Sequence, residues 1–200
     1  MNKYTSSKYT STSEYITVNK EIWSINSGYS KQGYPLPIFT KQMKGIIKQL
    51  NVITDNYSRV LVVLFDLHLE SFTPDNKIIS HFIKLLSTRI KKEYGFKQVG
   101  FSWCRELERA KQQHYHMAIF LEGRKIRTPK YLYEKIQDAW WDVGGGFVHM
   151  SGYHMVNRND WQTKADAIYH LSYQAKERGK GYRPAQTKDY ALSRLKLNKA

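Results

Sequence analysis

Two hydrophobic periods alternate along this chain, and the points where one gives way to the other mark its elements. Residues 1–35 show neither period clearly. They are rich in Ser, Thr and Tyr, with a short strand expected only at Tyr15–Val18. Gly33-Tyr34-Pro35-Leu36-Pro37 reads as extended linker, because a proline disfavours helix in the residue before it. A polar N-terminal arm over 1–35 is the expectation. From residue 39, Phe39, Met43, Ile46, Ile47 and Leu50 recur near helical spacing, so 39–54 is read as an amphipathic helix that packs one face and offers Lys41, Lys44 and Lys48 on the other.

Arg59–Leu69 is a continuous Val/Leu run and a candidate central strand. Ile78, Ile79, Phe82, Ile83, Leu86 and Ile90 then return to the helical period, and Gly95 is the expected stop. Phe96–Leu107 and His114–Leu121 are strand-like, separated by the polar stretch Glu108–Gln113, which has the composition of a hairpin loop. Pro129 suits a helix's first turn, and the helix Tyr131–Trp141 is broken by Gly144-Gly145-Gly146. Phe147–Val156 is a further strand, and Asp160 can cap a last helix from about Trp161 to Arg178. The order from residue 59 is β-α-β-β-α-β plus a C-terminal helix. That is the split order of an α+β, ferredoxin-like antiparallel sheet, expected here with its helices on one face.

Charge narrows the class of partner. The chain has 200 residues, 32 Lys plus Arg against 17 Asp plus Glu, a net charge of +15 and one cysteine, Cys104. A field of this sign attracts polyanions, so nucleic acid is the expected partner. Arg178, Lys180, Arg183, Lys188 and Arg194 in the basic C-terminal stretch join Lys41, Lys44 and Lys48 as expected phosphate contacts, with 181–200 read as a basic tail. No apolar run is long enough to span a bilayer, no leader-like segment opens the chain, and a lone cysteine gives no disulfide framework. A cytoplasmic, membrane-free protein is the expectation.

Candidate chemistry is concentrated in two places. His114 and His116 stand two apart on a strand, which puts both imidazoles on one face, a spacing able to hold a divalent metal. If Glu106 pairs across from His114, then Cys104 faces His116, Ser102 faces Ala118, and the face becomes a His₂Glu site. A register shifted by one residue would bring Trp103 and Arg105 there instead, and Glu108 in the loop is a substitute ligand. Asp66 and His68 share one face of the first strand and are candidates to lie beside the site. A structural zinc site built from Cys104, His114, His116, His149 and His154 is disfavoured by their irregular spacing. In the last expected helix, Tyr169, Tyr173 and Lys176 share a face, and an ammonium near a phenol favours the phenolate and neutralises phosphate charge. Each tyrosine also fits a plain packing role.

Taken together, His114-x-His116, an upstream carboxylate and Tyr173-x-x-Lys176 resemble the HUH endonucleases. Ser172-Tyr173-Gln174-Ala175-Lys176, Thr187-Lys188 and Ala191-Leu192-Ser193-Arg194 more narrowly resemble the replication initiators of filamentous phages and their relatives on bacterial mobile elements. The resemblance covers about residues 58–195 and implies an HUH-like endonuclease domain over 36–180. It implies a metal-dependent enzyme (Mg²⁺ or Mn²⁺) that nicks single-stranded origin DNA, forming a 5′-phosphotyrosine and freeing a 3′-OH for rolling-circle replication, with a host helicase and polymerase as partners. Glu106, His114 and His116 would hold the metal, Tyr173 would attack, Lys176 would occupy the motif's lysine position, and Tyr169 would be a second nucleophile or a packing ring. The alternative is a non-catalytic DNA- or RNA-binding module on the same sheet.

Overall fold

The structure is a computed structural model and describes residues 9–107, 112–126 and 128–198. Its centre is a five-stranded, wholly antiparallel sheet in an α+β arrangement. The strands are β5 (Arg59–His68), β6 (Gly100–Glu106), β7 (His114–Glu122), β8 (Val148–Asn157) and β9 (Tyr190–Leu192), in the spatial order β8-β5-β7-β6-β9. Before them come β1 (Thr10–Ser11), β2 (Tyr15–Val18), β3 (Glu21–Ser24), β4 (Ile38–Phe39) and α1 (Thr40–Asn56). The remaining helices are α2 (Lys77–Tyr94), α3 (Lys130–Asp142) and α4 (Trp161–Leu171). No helix among the described residues is long and apolar enough to cross a membrane.

The strand β5 explains why the sheet is covered twice. It is apolar on both faces: Leu61, Val63, Phe65 and Leu67 pack with α2 and α3, whereas Val60, Val62 and Leu64 pack with α1 and α4. Helices on one face only, the expectation from the element order, would have left one of these rows in water, so the expectation is corrected to helices on both faces.

The stretch expected to be an N-terminal arm also packs. The hairpin β2-β3 buries Ile16, Val18 and Trp23 in the α1/α4 layer, and Trp23 stacks on Trp161 with ring centroids 5.7 Å apart. Its polar composition hid an alternation in which every second residue of β2 faces inward. The expected C-terminal tail is likewise structured. Tyr190–Leu192 pairs with β6 as the edge strand, and the Ser193 amide donates to the Phe101 carbonyl at 2.9 Å. The stretch satisfies β6 backbone groups that would otherwise face solvent.

The last helix is shorter than its period suggested. Asp160 caps it as expected, its carboxylate accepting from the Thr163 amide at 3.2 Å. The helix ends at Leu171, however, and Ser172–Ala175 form a 3₁₀ turn. Residues 26–42 draw the chain away: the Asn26 amide donates to Ser172 Oγ at 2.7 Å, Gln42 Nε2 donates to the Gln174 carbonyl at 2.9 Å, and the Glu177 amide donates to the Pro37 carbonyl at 2.8 Å. Tyr169 and Tyr173 therefore do not stand on one continuous α-helical face.

Candidate metal centre

Strand register decides this site. Glu106 pairs with His114, Cys104 with His116 and Ser102 with Ala118, so the carboxylate and both imidazoles share the sheet face that looks toward the 3₁₀ turn. Trp103 packs on the opposite face of the sheet. Arg105 is buried away from the cluster, donating to the carbonyls of Thr73 and Asp75 and to Gln113 Oε1. The shifted register is thereby excluded. Glu108 lies outside the described residues.

Within the cluster, His114 Nε2 is 3.2 Å from His116 Nε2. Glu106 Oε2 lies 3.3 Å from His116 Nε2 and 3.9 Å from His114 Nε2. The three ligand atoms lie within 4.8 Å of one another. Donor atoms bound at ~2.1 Å to one ion stand about 3–3.5 Å apart, so the donor set fits a single divalent ion. Both rings are anchored by their other nitrogen. His114 Nδ1 sits 3.2 Å from the Gln112 carbonyl and His116 Nδ1 sits 2.6 Å from Asp66 Oδ1, so Nδ1 donates on each ring and Nε2 faces the shared position, where a metal would displace the proton that His116 otherwise shares with Glu106. Two imidazoles and one carboxylate suit Mn²⁺ or another borderline ion better than Mg²⁺, which favours an all-oxygen shell.

The surroundings set the charges. Burial disfavours an ionised Glu106, but His116 and Lys180 outweigh it and hold the carboxyl well below its ordinary range. Burial likewise opposes a charged His116, yet its hydrogen bonds to Asp66 and Glu106 raise it to about 9, whereas burial lowers His114. The other strand residue singled out, His68, stacks on His114 with centroids 5.4 Å apart. His149 lies 3.5 Å from Asp66, and His154 pairs with His170 at 3.0 Å, so neither joins the triad. Cys104 is fully buried, and burial pushes its thiol up to about 12, which leaves it an inert packing group.

Tyr173 stands edge-on to His116, with ring centroids 5.3 Å apart. The Lys176 ammonium lies over the Tyr173 ring, 2.9 Å from its centroid, and burial lowers this lysine to about 8. Burial, then Glu106 and Asp66, raise the Tyr173 phenol, so Lys176 does not by itself make a phenolate. An open cleft of 480 Å³ is lined by the cluster together with His68, Tyr173, Lys176 and Arg178. Tyr169 lines neither this cleft nor the one beside it.

Lys180, expected to grip phosphate from the surface, is instead fully buried. Its ammonium donates to Glu106 Oε1 at 2.9 Å and to the Lys176 carbonyl. The preceding residue must be glycine: Gly179 has φ +78°, and a Cβ there would stand 2.9 Å from Glu106 Oε2. Sequence reasoning missed this role because a lysine between two glycines in a basic stretch looks like solvated charge. Lys180→Met, which leaves the buried Glu106 carboxylate without its cation, is expected to lower unfolding stability by about 3–5 kcal/mol, read as a reduced urea midpoint. Of the other basic residues, Lys41, Lys44, Lys48, Lys188 and Arg194 are exposed, Arg178 borders the cleft, and Arg183 pairs with Asp189 at 2.8 Å.

The fold and site define an α+β protein whose antiparallel sheet carries a buried carboxylate–histidine–histidine cluster open to a basic cleft. The model of the YagK/YfjJ C-terminal domain matches residues 19–188, and the chain belongs to that family. No curated protein and no solved structure matches it.

Proposed function

We propose that the protein is an HUH-type endonuclease that cleaves single-stranded DNA by tyrosine transesterification, with Glu106, His114 and His116 as metal ligands and Tyr173 as nucleophile. The observation that carries this reading is the convergence of the ligand triad and the Tyr173 ring at one cleft edged by Lys176 and Arg178. The strand order β8-β5-β7-β6 supports the ferredoxin-like sheet that the resemblance implies.

Glu106, His114 and His116 would hold a divalent ion, which would supply Lewis acidity toward a phosphate oxygen and lower the cost of charge on a nearby phenol oxygen. Asp66 fixes the His116 ring, and Lys180 fixes Glu106 Oε1 so that Oε2 faces the histidines. Arg178 and Lys176 bring positive charge to the phosphate side of the cleft. Lys176, whose ammonium lies over the Tyr173 ring, keeps positive charge beside the phenol as its proton leaves to solvent. The Tyr173 oxygen then forms a bond to phosphorus as the P–O3′ bond breaks, leaving a 5′-phosphotyrosine and a 3′ oxygen that gains a proton.

Incubation with labelled single-stranded DNA libraries in Mn²⁺, followed by denaturing electrophoresis, tests the proposal: a protein–DNA adduct abolished by EDTA is expected. Salt-dependent DNA binding without any adduct would favour the non-catalytic module instead. Binding itself is expected to rest on dispersed charge. Replacing Lys41, Lys44 and Lys48 by Gln should weaken all sequences alike. On single strands it should lower the slope of log K against log salt by about 0.7 for each phosphate that is no longer neutralised, measured by fluorescence anisotropy.

A further inference from the structure

A second cleft, of 320 Å³, shares Tyr173 and His116 with the first but is lined by neither Lys176 nor Arg178. Its construction rests on a defect in the sheet. The pairing of β5 with β8 slips between Leu64, opposite Gly152, and Phe65, opposite Met150, leaving Ser151 as a bulged residue without a partner on β5. Bulges of this kind re-aim a side chain out of the ladder. The Ser151 hydroxyl is buried and lines the cleft beside Asp66, whose carboxyl it helps hold ionised. A buried hydroxyl at the wall of a cleft has a lone pair to offer a ligand that enters it. The next residue, Gly152, has φ +139°, and a Cβ there would stand 3.3 Å from His170 Cε1. The glycine thus lets His170 close the wall, and His170 Nδ1 is held 3.0 Å from His154 Nε2.

The two clefts differ in charge. Lys176 and Arg178 line the metal cleft, whereas no Lys or Arg lines the second, which instead carries the Asp66 carboxylate. It lacks the Lys and Arg charge that would hold a phosphate. A flat heteroaromatic ring suits it: the Tyr173 ring and Leu64 supply apolar wall, and Ser151, Asn26 and His170 supply edge hydrogen bonds. We propose that this cleft is a nucleobase pocket, which takes one unstacked base of the DNA strand while the adjoining phosphate lies at the metal side of Tyr173. The identification of the ligand as DNA rests on the proposed function. Asp66 as an acceptor favours a base with an exocyclic amine, adenine, cytosine or guanine, over thymine.

The test is fluorescence anisotropy of the full chain with short oligo(dA), oligo(dC) and oligo(dT) in Mn²⁺. Oligo(dT) is expected to bind about tenfold more weakly than the better of the other two. Ser151→Ala should reduce this ratio several-fold, and Ser151→Leu, which fills the cleft, should erase it by bringing the better binder down to the oligo(dT) level. Ser151→Ala removes only one oxygen, so a failure of the leucine variant to fold leaves the question decided by the alanine variant. Equal binding of all three homopolymers by the parent protein, or a ratio unchanged in Ser151→Ala, overturns the pocket. A ratio that behaves as expected in a protein that forms no covalent adduct supports the pocket and overturns the endonuclease reading alone.

Discussion

Tyr173→Phe abolishes the covalent protein–DNA adduct, and Tyr169→Phe preserves it: this is the expected result with the largest effect. The hydroxyl is the only group removed, and the ring keeps its edge-on packing with His116 and its place under the Lys176 ammonium. Because the ring is partly exposed, folding should be little changed. Loss of a nucleophile costs on the order of 10³-fold or more in rate, so no adduct should be visible after an incubation that labels the parent protein fully. Tyr169 belongs to the last turn of α4 and lines neither cleft. Its phenylalanine variant should form the first adduct at a rate near that of the parent, measured by a shifted band on a denaturing gel and by peptide mapping. An adduct mapped to Tyr169 would reverse the two roles.

Loss of the histidine pair ranks second in expected effect. His114→Ala with His116→Ala removes two of three ligand atoms, and Mn²⁺ affinity should fall by at least about 100-fold, read by calorimetry or by the electron paramagnetic resonance of free Mn²⁺. Adduct formation should fall with it. Asp66→Asn, which leaves both ligands in place but loosens the Nδ1 anchor of His116, should cost about 10–100-fold in metal affinity. Binding of DNA at low salt should survive in the double variant, because Lys41, Lys44, Lys48 and Arg194 are exposed on other elements. A double variant that forms the adduct at the parent rate in EDTA would refute the metal assignment.

Much of the centre was legible before any fold was known, because a strand converts sequence spacing into position without help. His114 and His116 two apart must share a face, and the apolar run that follows them states which elements bury it. The pairing of Glu106 with His114 followed from closing the hairpin through the polar stretch between them, although a one-residue slip was equally compatible with local pattern. Tertiary burial settled it: Trp103 belongs in the α2/α3 core, and Arg105 needs the carbonyls of Thr73 and Asp75. The second half of the site was less legible. Tyr173 and Lys176 meet as expected, yet they meet across a 3₁₀ turn, since hydrogen bonds donated by Asn26 and Gln42 and one accepted by the Pro37 carbonyl end the helix early.

By itself, then, the sequence determined the alternation of strand and helix from residue 59, the basic character, and the shared face of His114 and His116, all of which depend on periodicity or on charge and so on neighbours within a few residues; the register that adds Glu106 to that face was settled by tertiary burial. The tertiary structure alone decided what depends on distant partners. It brought the Tyr/Ser-rich first segment in as a hairpin on the α1/α4 layer and turned the basic end into an edge strand. It buried Lys180 against Glu106 and set Ser151 out of the ladder beside Tyr173. Each of these outcomes turns on satisfying a polar or apolar group with a residue far away in the chain, and no local pattern records which residue that will be.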